Sequence, residues 1–248
     1  MFTDRGKYFE IEEFEKFGVE ALYTTKEIGD IDILFKDTEN SSENIFKNFG
    51  KKTSIVVYAK QTHTNNVVAI ESDTKEYFYE DVDGFITKRK DIVLMTQYAD
   101  CLPLFFYDKK NEVIGVSHSG WKGTFEEIGI KTLELMEKKY GSKREDIIIA
   151  LGIGISCEKY EVGDEFYLQF KEKFESDIIE KSFKYYETDK KWHFNNLELN
   201  RLNFLKNGIL PENIIISNEC TYKNGRFHSF RRDKSKSRNA GIIFFKDR

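Results

Sequence analysis

The chain has 248 residues, 40% of them hydrophobic and 15% aromatic, which is enough apolar material for one large core. Charged residues make up 33%, but their signs interleave and the formal net charge is only -4, which argues against a nucleic-acid footprint or a membrane-surface patch and points to a small-molecule partner. Three cysteines in a chain this long exclude a disulfide framework and suit a reducing compartment.

The segment Met1 to Gly6 lacks the basic stretch and apolar run of a leader, and no apolar run is long enough to span a bilayer, so a cytoplasmic protein is expected. With two prolines and no Ser/Gly-rich linker, residues 1–248 read as a single domain. Runs rich in β-branched and aromatic residues predict closely spaced strands of a mixed or antiparallel sheet at 54–59, 66–70, 84–87, 92–97, 102–107 and 113–117. The polar stretch Asp108-Lys109-Lys110-Asn111-Glu112 makes Leu102 to Ser117 a hairpin, with Cys101 and His118 at its open end.

After Trp121 the period becomes helical. Lys122-Gly123-Thr124 opens a helix carrying Phe125, Ile128, Thr132, Leu135, Met136 and Tyr140 on one stripe and capped by Gly141. A buried strand at 147–151 leads into the glycine-bearing loop Gly152 to Cys157. Helices are predicted from Gly163-Asp164 to about Phe174 and from Asn195-Asn196 to about Lys206, and strands at 213–217 and 241–245. This is an α+β arrangement in which helices cover the outer faces of sheets.

Three strand-to-turn segments each carry one metal-ligating side chain: His63 in Gln61-Thr62-His63, Cys101 in Ala99-Asp100-Cys101-Leu102-Pro103, and His118 in Ser117-His118-Ser119-Gly120-Trp121. Taken singly, each has a simpler explanation as a hydrogen-bonded histidine or a small buried thiol. Together they form the His, Cys, His set that a catalytic zinc with an open coordination position needs. The glycine and serines beside His118 leave room for a ligand. Asp83, in Val82-Asp83-Gly84-Phe85, and Asp100 are carboxylates at strand ends, where a base or a hydrogen-bond partner for a metal-bound histidine would stand, although an Asp before a glycine is equally a turn former. Trp121 suits either stacking on a planar ring or covering the core. In Phe227-His228-Ser229-Phe230-Arg231-Arg232-Asp233 two arginines follow an aromatic pair, with Lys234, Lys236 and Arg238 after them, a cluster able to hold phosphate by forked hydrogen bonds. Cys157, Cys220 and His193 are read as structural.

The ordered motifs Gln61-Thr62-His63, Asp83-Gly84-Phe85, Ala99-Asp100-Cys101-Leu102-Pro103, His118-Ser119-Gly120-Trp121-Lys122-Gly123, Gly154-Ile155-Ser156-Cys157 with Tyr160-Glu161-Val162-Gly163, and Cys220-Thr221-Tyr222 with Ser229-Phe230-Arg231-Arg232-Asp233 resemble the YfiH family, also called the laccase-like or multicopper polyphenol oxidase domain family. The resemblance spans roughly residues 50 to 248. It implies a layered α/β/β/α fold with mixed β-sheets, and a purine nucleoside phosphorylase that splits adenosine, inosine and methylthioadenosine with phosphate and also deaminates adenosine. It further implies a metal held by His63, Cys101 and His118. Thr62, Ser119, Lys122 and Ser156 stand where valine, alanine, arginine and proline are usual in that family. Lys122 would meet an anion as a point charge and not as a planar fork.

On this reading Arg231 or Arg232, helped by Lys122, holds phosphate, zinc at His63, Cys101 and His118 orients substrate, and Asp83 and Asp100 are the candidates for proton transfer. The His-x-Glu with Pro-Cys-x-x-Cys signature of other zinc deaminases is absent. Two alternatives compete. A cysteine hydrolase would use a Cys101–His dyad with His118 or His63. A copper-dependent polyphenol oxidase would need more histidines than the four present, so copper is the weaker choice of metal.

Overall fold

Strand-forming runs dominate the described residues, 1–31 and 55–246 of this computed structural model. The chain opens with β1 (Phe2–Asp4), β2 (Tyr8–Ile11), the single turn α1 (Glu12–Glu15) and β3 (Val19–Thr24). It continues with β4 (Ile55–Lys60), β5 (Val67–Ile70), β6 (Phe78–Glu80), β7 (Gly84–Thr87), β8 (Ile92–Tyr98), β9 (Leu102–Asp108) and β10 (Val113–Ser119). Then come α2 (Trp121–Phe125), α3 (Ile128–Tyr140), β11 (Ile147–Leu151), β12 (Glu161–Val162), α4 (Asp164–Lys173), α5 (Ser176–Ser182), β13 (Phe183–Tyr186) and β14 (Lys191–Phe194). The last elements are α6 (Asn196–Lys206), β15 (Ile214–Ile216), α7 (Phe230–Asp233) and β16 (Asn239–Phe245).

The predicted strands of the first half do not form one sheet. Among the described residues, β4 and β8 belong to a sheet of order β1-β2-β3-β16-β8-β4-β6, while β5, β7, β9 and β10 belong to a second of order β15-β11-β9-β10-β7-β5. Both are mixed, with β4 parallel to β8, β5 parallel to β7 and β11 parallel to β15. The two sheets bury their facing sides together: Val57, Leu94 and Ile243 from the first meet Phe85, Phe105 and Val116 from the second. On the far side of the second sheet, Leu104 and Phe106 pack under Leu133 and Met136 of α3 and Phe204 of α6. On the far side of the first, Leu22, Val93, Met95, Ile242 and Phe244 gather with Ile31. Ser54, at the start of the predicted 54–59 strand, lies outside the described residues. No described helix is long and apolar enough to cross a membrane.

The hairpin is found with its predicted turn. Asp108 accepts the N–H groups of Lys110 and Asn111 at 2.8 and 2.9 Å, and Glu112 takes a positive φ of 51°. The helix expected from Lys122 to Tyr140 is instead broken at Glu127, whose φ of 57° ends α2 and restarts the chain as α3. The break sends Phe125 away from the Ile128–Met136 stripe and into a separate aromatic core with Phe170 and Phe174. Glu127 is held there by Asn203 Nδ2, which donates to its Oε1 at 3.0 Å. α3 then ends at Gly141 with φ 68°, as its sequence indicates.

α4 and α6 also match their predicted spans. Asp164 and Glu165 open α4 and Lys171 and Lys173 close it, in accord with the helix dipole, and the Asn195 side chain caps α6 by accepting from Glu198 N. Lying outside the predicted elements are β1 to β3, α1, β6, α5, α7 and a third small sheet of order β12-β14-β13. That sheet is an aromatic module, with Phe183 stacked on Phe194 at 4.8 Å and Tyr167 on Trp192 at 3.7 Å.

Candidate active site and metal centre

Pairing geometry delivers His63, Cys101 and His118 to one end of the two-sheet core. Because β4 and β8 run parallel, the segments that leave them, Gln61–His63 and Ala99–Cys101, emerge on the same side. Gln61 extends this pairing beyond the strands: its Nε2 donates to the Gln97 carbonyl at 3.0 Å and its Oε1 accepts the Gln97 N–H at 2.7 Å. Cys101 lies where the chain crosses from the first sheet into β9 of the second. The β9–β10 register then places Ser119 opposite Leu102, which returns His118 to the same end. The sulfur and one nitrogen of each imidazole lie within 4.8 Å of one another, and the two rings meet edge to face at 4.9 Å between centroids.

Asp83 is placed by the same logic. The β7–β10 pairing sets Gly84 opposite Ser117, where a Cβ would fall 2.5 Å from Ser117 Oγ, and so carries Asp83 up to His118. Its carboxylate is fully buried: Oδ1 meets His118 Nδ1 at 2.8 Å, and Oδ2 accepts from Thr64 N at 2.8 Å and Thr64 Oγ1 at 2.9 Å. The N–H groups of Thr62 and His63 add two contacts at 3.2 Å. Asp83 therefore fixes both histidines from behind: one through its ring, the other through a backbone held at φ 65°. With Nδ1 engaged, His118 has Nε2 left for a ligand.

Electrostatics favour a thiolate. Burial alone would raise the Cys101 thiol, but the imidazoles of His118 and His63 outweigh it and bring the group to about 6. Burial likewise opposes a charged His118, yet the Cys101 thiolate and Asp83 carboxylate raise its ring to about 9. Burial would also raise Asp83, but His118 and the Thr64 donors keep it below the usual carboxylate range.

Gly120 supplies space. A Cβ there would lie 2.7 Å from His63 Cδ2 and 3.0 Å from Cys101 Sγ. The turn that holds it is tied to α6 by buried polar contacts: Ser119 Oγ meets Thr124 Oγ1 at 2.7 Å, Thr124 Oγ1 donates to Asn196 Oδ1 at 2.6 Å, and Asn196 Nδ2 donates to the Ser119 carbonyl at 2.8 Å. Ser119, where alanine was the usual residue of the resembling family, thus uses its hydroxyl.

A soft sulfur ligand, two borderline imidazoles, an oriented second histidine and an adjoining Cβ-free position fit a zinc-type ion. A multicopper set does not fit. Of the chain's four histidines, His193 is bound to Asp189 and Cys157 and His228 lies outside the cluster.

The three ligands open into a cavity of about 1310 Å³. Tyr160, Phe166 and Trp121 line it on the side of the aromatic module, Tyr58, Phe78 and Gln97 on the first sheet, and Lys60, Arg231, Lys236 and Arg238 provide cationic groups. Trp121 both lines the cavity and packs on Phe166 at 5.4 Å, so its two sequence readings are compatible.

The remaining predicted residues separate by position. Asp100 lines the cavity with φ 86°; its Oδ1 accepts from Thr221 Oγ1 at 2.6 Å, its Oδ2 from Arg231 N at 2.6 Å, and its carbonyl from Ile155 N of the glycine-bearing loop. Asp83 does not line it; its carboxylate stands behind His118 as the hydrogen-bond partner that the sequence offered beside the role of base. Arg232 is corrected as an anion ligand: its guanidinium donates to the carbonyls of Thr221, Tyr222 and Phe227 and to the Asp233 carboxylate. Lys122 is exposed, outside the lining and over the Trp121 ring at 5.6 Å, so it gives phosphate no direct help. Lys60 and Phe166 had no assigned role in the sequence reading, since nothing in their local pattern marks a cavity wall, whereas Lys236 and Gly120 stand where that reading expected an anion cluster and room for a ligand.

Residues 35–246 match the sequence family described as multi-copper polyphenol oxidoreductase laccase. The chain is 36% identical over 215 residues to a protein of Borreliella burgdorferi named purine nucleoside phosphorylase, covering 86% of this chain and 87% of that one. It is 32% identical over 227 residues to purine nucleoside phosphorylase YlmD of Bacillus subtilis, covering 88% and 79%. Its fold matches the crystal structures of the hypothetical protein YfiH of Bacillus licheniformis and of YlmD of Geobacillus stearothermophilus, each with TM-score 0.85 over 99% of both chains, at 24% and 22% identity.

Proposed function

Since the chain belongs to the multi-copper polyphenol oxidoreductase laccase family, in which relatives named purine nucleoside phosphorylase cover most of its length, we propose that it is a zinc-dependent purine nucleoside phosphorylase. Adenosine, inosine and methylthioadenosine are its substrates with phosphate, and deamination of adenosine is a second activity. The observation that carries this reading is the convergence of His63, Cys101 and His118 on a cavity lined by both aromatic rings and cations. A zinc ion held by those three side chains would supply a Lewis acid beside the substrate.

In phosphorolysis an oxygen of phosphate bonds to C1′ of the ribose, the C1′–N9 bond breaks, and its electron pair leaves with the purine, which gains a proton. Positive charge therefore builds on the sugar and negative charge on the base. Arg231, the arginine of its pair that lines the cavity, holds the phosphate, with Lys236, five residues on, also lining the cavity and free of ion pairs among the described residues. Tyr160, Trp121 and Phe166 give the purine a planar apolar wall and exclude water. In deamination water replaces the amino group at the purine six position and ammonia leaves; Asp100 is the cavity carboxylate placed to carry the proton.

Incubating the purified protein with adenosine, with and without phosphate, tests both activities. Adenine that forms only with phosphate supports phosphorolysis, and inosine without phosphate supports deamination. Absence of both would refute the proposal. The Cys101–His118–Asp83 alignment also suits a cysteine hydrolase, which predicts a metal-free active enzyme blocked by thiol alkylation. The second histidine at the sulfur, His63 at 3.8 Å, has no task in that reading.

A further inference from the structure

Beside Arg231 stands a cluster that the proposed chemistry leaves unused. Tyr160 and Val162 line the cavity, whereas Glu161 between them is absent from the lining and stands opposite His193 in the β12–β14 register, as strand alternation requires. Its carboxylate is ion-paired with Nη1 of Arg231, and both Nη atoms approach the Glu161 carbonyl at 3.4 Å. The guanidinium also lies 5.4 Å from the Tyr160 ring centroid. Glu161, Asp189 and His193 bring their polar atoms within 4.8 Å of one another. His193 is 3% exposed, with Nδ1 facing the Cys157 carbonyl at 3.1 Å and Nε2 facing Asp189 Oδ2 at 2.8 Å. With both ring nitrogens engaged, this trio is not a second metal centre, and Glu161 is its member that reaches Arg231.

We propose that Glu161, on the β12–β14 pair, is a positioning residue that aims Arg231 into the cavity, making the small third sheet part of the oxyanion-binding apparatus. The inference rests on the reading of Arg231 as the phosphate-binding arginine. A free arginine loses rotamer freedom when it grips an anion, whereas one tethered at its backbone by Asp100 and at its guanidinium by Glu161 has already lost it. Only part of the five-donor fork is used on Glu161, so the remaining N–H groups are available to an anion.

Titrating inorganic phosphate into the protein, together with KM values for phosphate and nucleoside, tests this in Glu161→Ala, Arg231→Ala, their double variant and His193→Gln. Glu161→Ala and Arg231→Ala should each weaken phosphate about tenfold or more while nucleoside KM changes little. The double variant should be no worse than Arg231→Ala alone, because Glu161 acts through that side chain. His193→Gln, a control whose ring meets Cys157 and Asp189 and not Glu161, should leave phosphate affinity nearly unchanged. Unchanged phosphate affinity in Glu161→Ala, or additive losses in the double variant, overturns the positioning role while leaving Arg231 as the anion ligand. Unchanged affinity in Arg231→Ala overturns the anion reading and this inference with it. If Glu161→Ala melts early, Glu161→Gln keeps the shape and an acceptor without the charge and carries the same comparison.

Discussion

Cys101 is the side chain whose surroundings say most about the chemistry. Its thiol is lowered to about 6, so in metal-free protein the thiolate persists at neutral pH and is lost as pH falls through that value. Alkylation by iodoacetamide should therefore be fast at pH 7 and fall off below about 6, whereas Cys157, whose thiol burial raises, should react slowly; added zinc should protect Cys101. A reactivity profile rising only near pH 9 would contradict the thiolate–imidazole pairing. Cys101→Ala should abolish zinc binding and nucleoside turnover together, measured by metal analysis and product separation. Retained phosphorolysis in a variant shown to be metal-free would separate the reaction from these ligands. Gly120→Ala places a methyl against His63 and Cys101 and should lower zinc affinity in a chelator competition while the thermal midpoint moves little.

Among the secondary-structure elements, α3 meets α6 closely at Gly129. A Cβ there would fall 2.6 Å from Cζ of Phe204, so any larger residue requires the buried ring or the helix to shift. Gly129→Ala should destabilise the fold by about 1–3 kcal/mol in chemical denaturation, through overpacking of a buried ring. A neutral result would mean that Phe204 can move aside. α6, the partner of α3 in this contact, also anchors the Ser119–Thr124 turn, so the variant should also raise the zinc concentration needed for half-maximal activity.

The whole molecule is acidic, with a formal net charge of -4, yet it gathers Lys60, Arg231, Lys236 and Arg238 around one cavity. That local reversal of sign attracts an anion in a way that salt screens. Raising salt from about 0.05 to about 0.5 M should increase phosphate KM several-fold and leave nucleoside KM nearly unchanged. Equal insensitivity of both would argue that phosphate binds away from these cations. The third sheet takes part at this scale as well, because its aromatic core supplies Tyr160 and Phe166 to the wall and Glu161 to the arginine behind it.

Local periodicity was sufficient to place the β9–β10 hairpin, α4, α6 and the Gly141 cap, because each depends on neighbours within a few residues. The ligand types His63, Cys101 and His118 were legible for a similar reason: few side chains combine metal affinity with a strand-end setting. The division of the strands between two sheets was not legible, since β4 and β5 follow one another in sequence yet pair with different partners. Nor could sequence choose between base and histidine partner for Asp83, withdraw Arg232 from the anion, or place Glu161 behind Arg231. Each of those outcomes depends on which carbonyl or carboxylate a long side chain meets once strands far apart in the chain have come into register. Sequence by itself determined the stock of reactive groups and the local elements that carry them. Tertiary structure alone decided which groups face the cavity, because distance and burial between non-local residues are set only when the sheets close on each other.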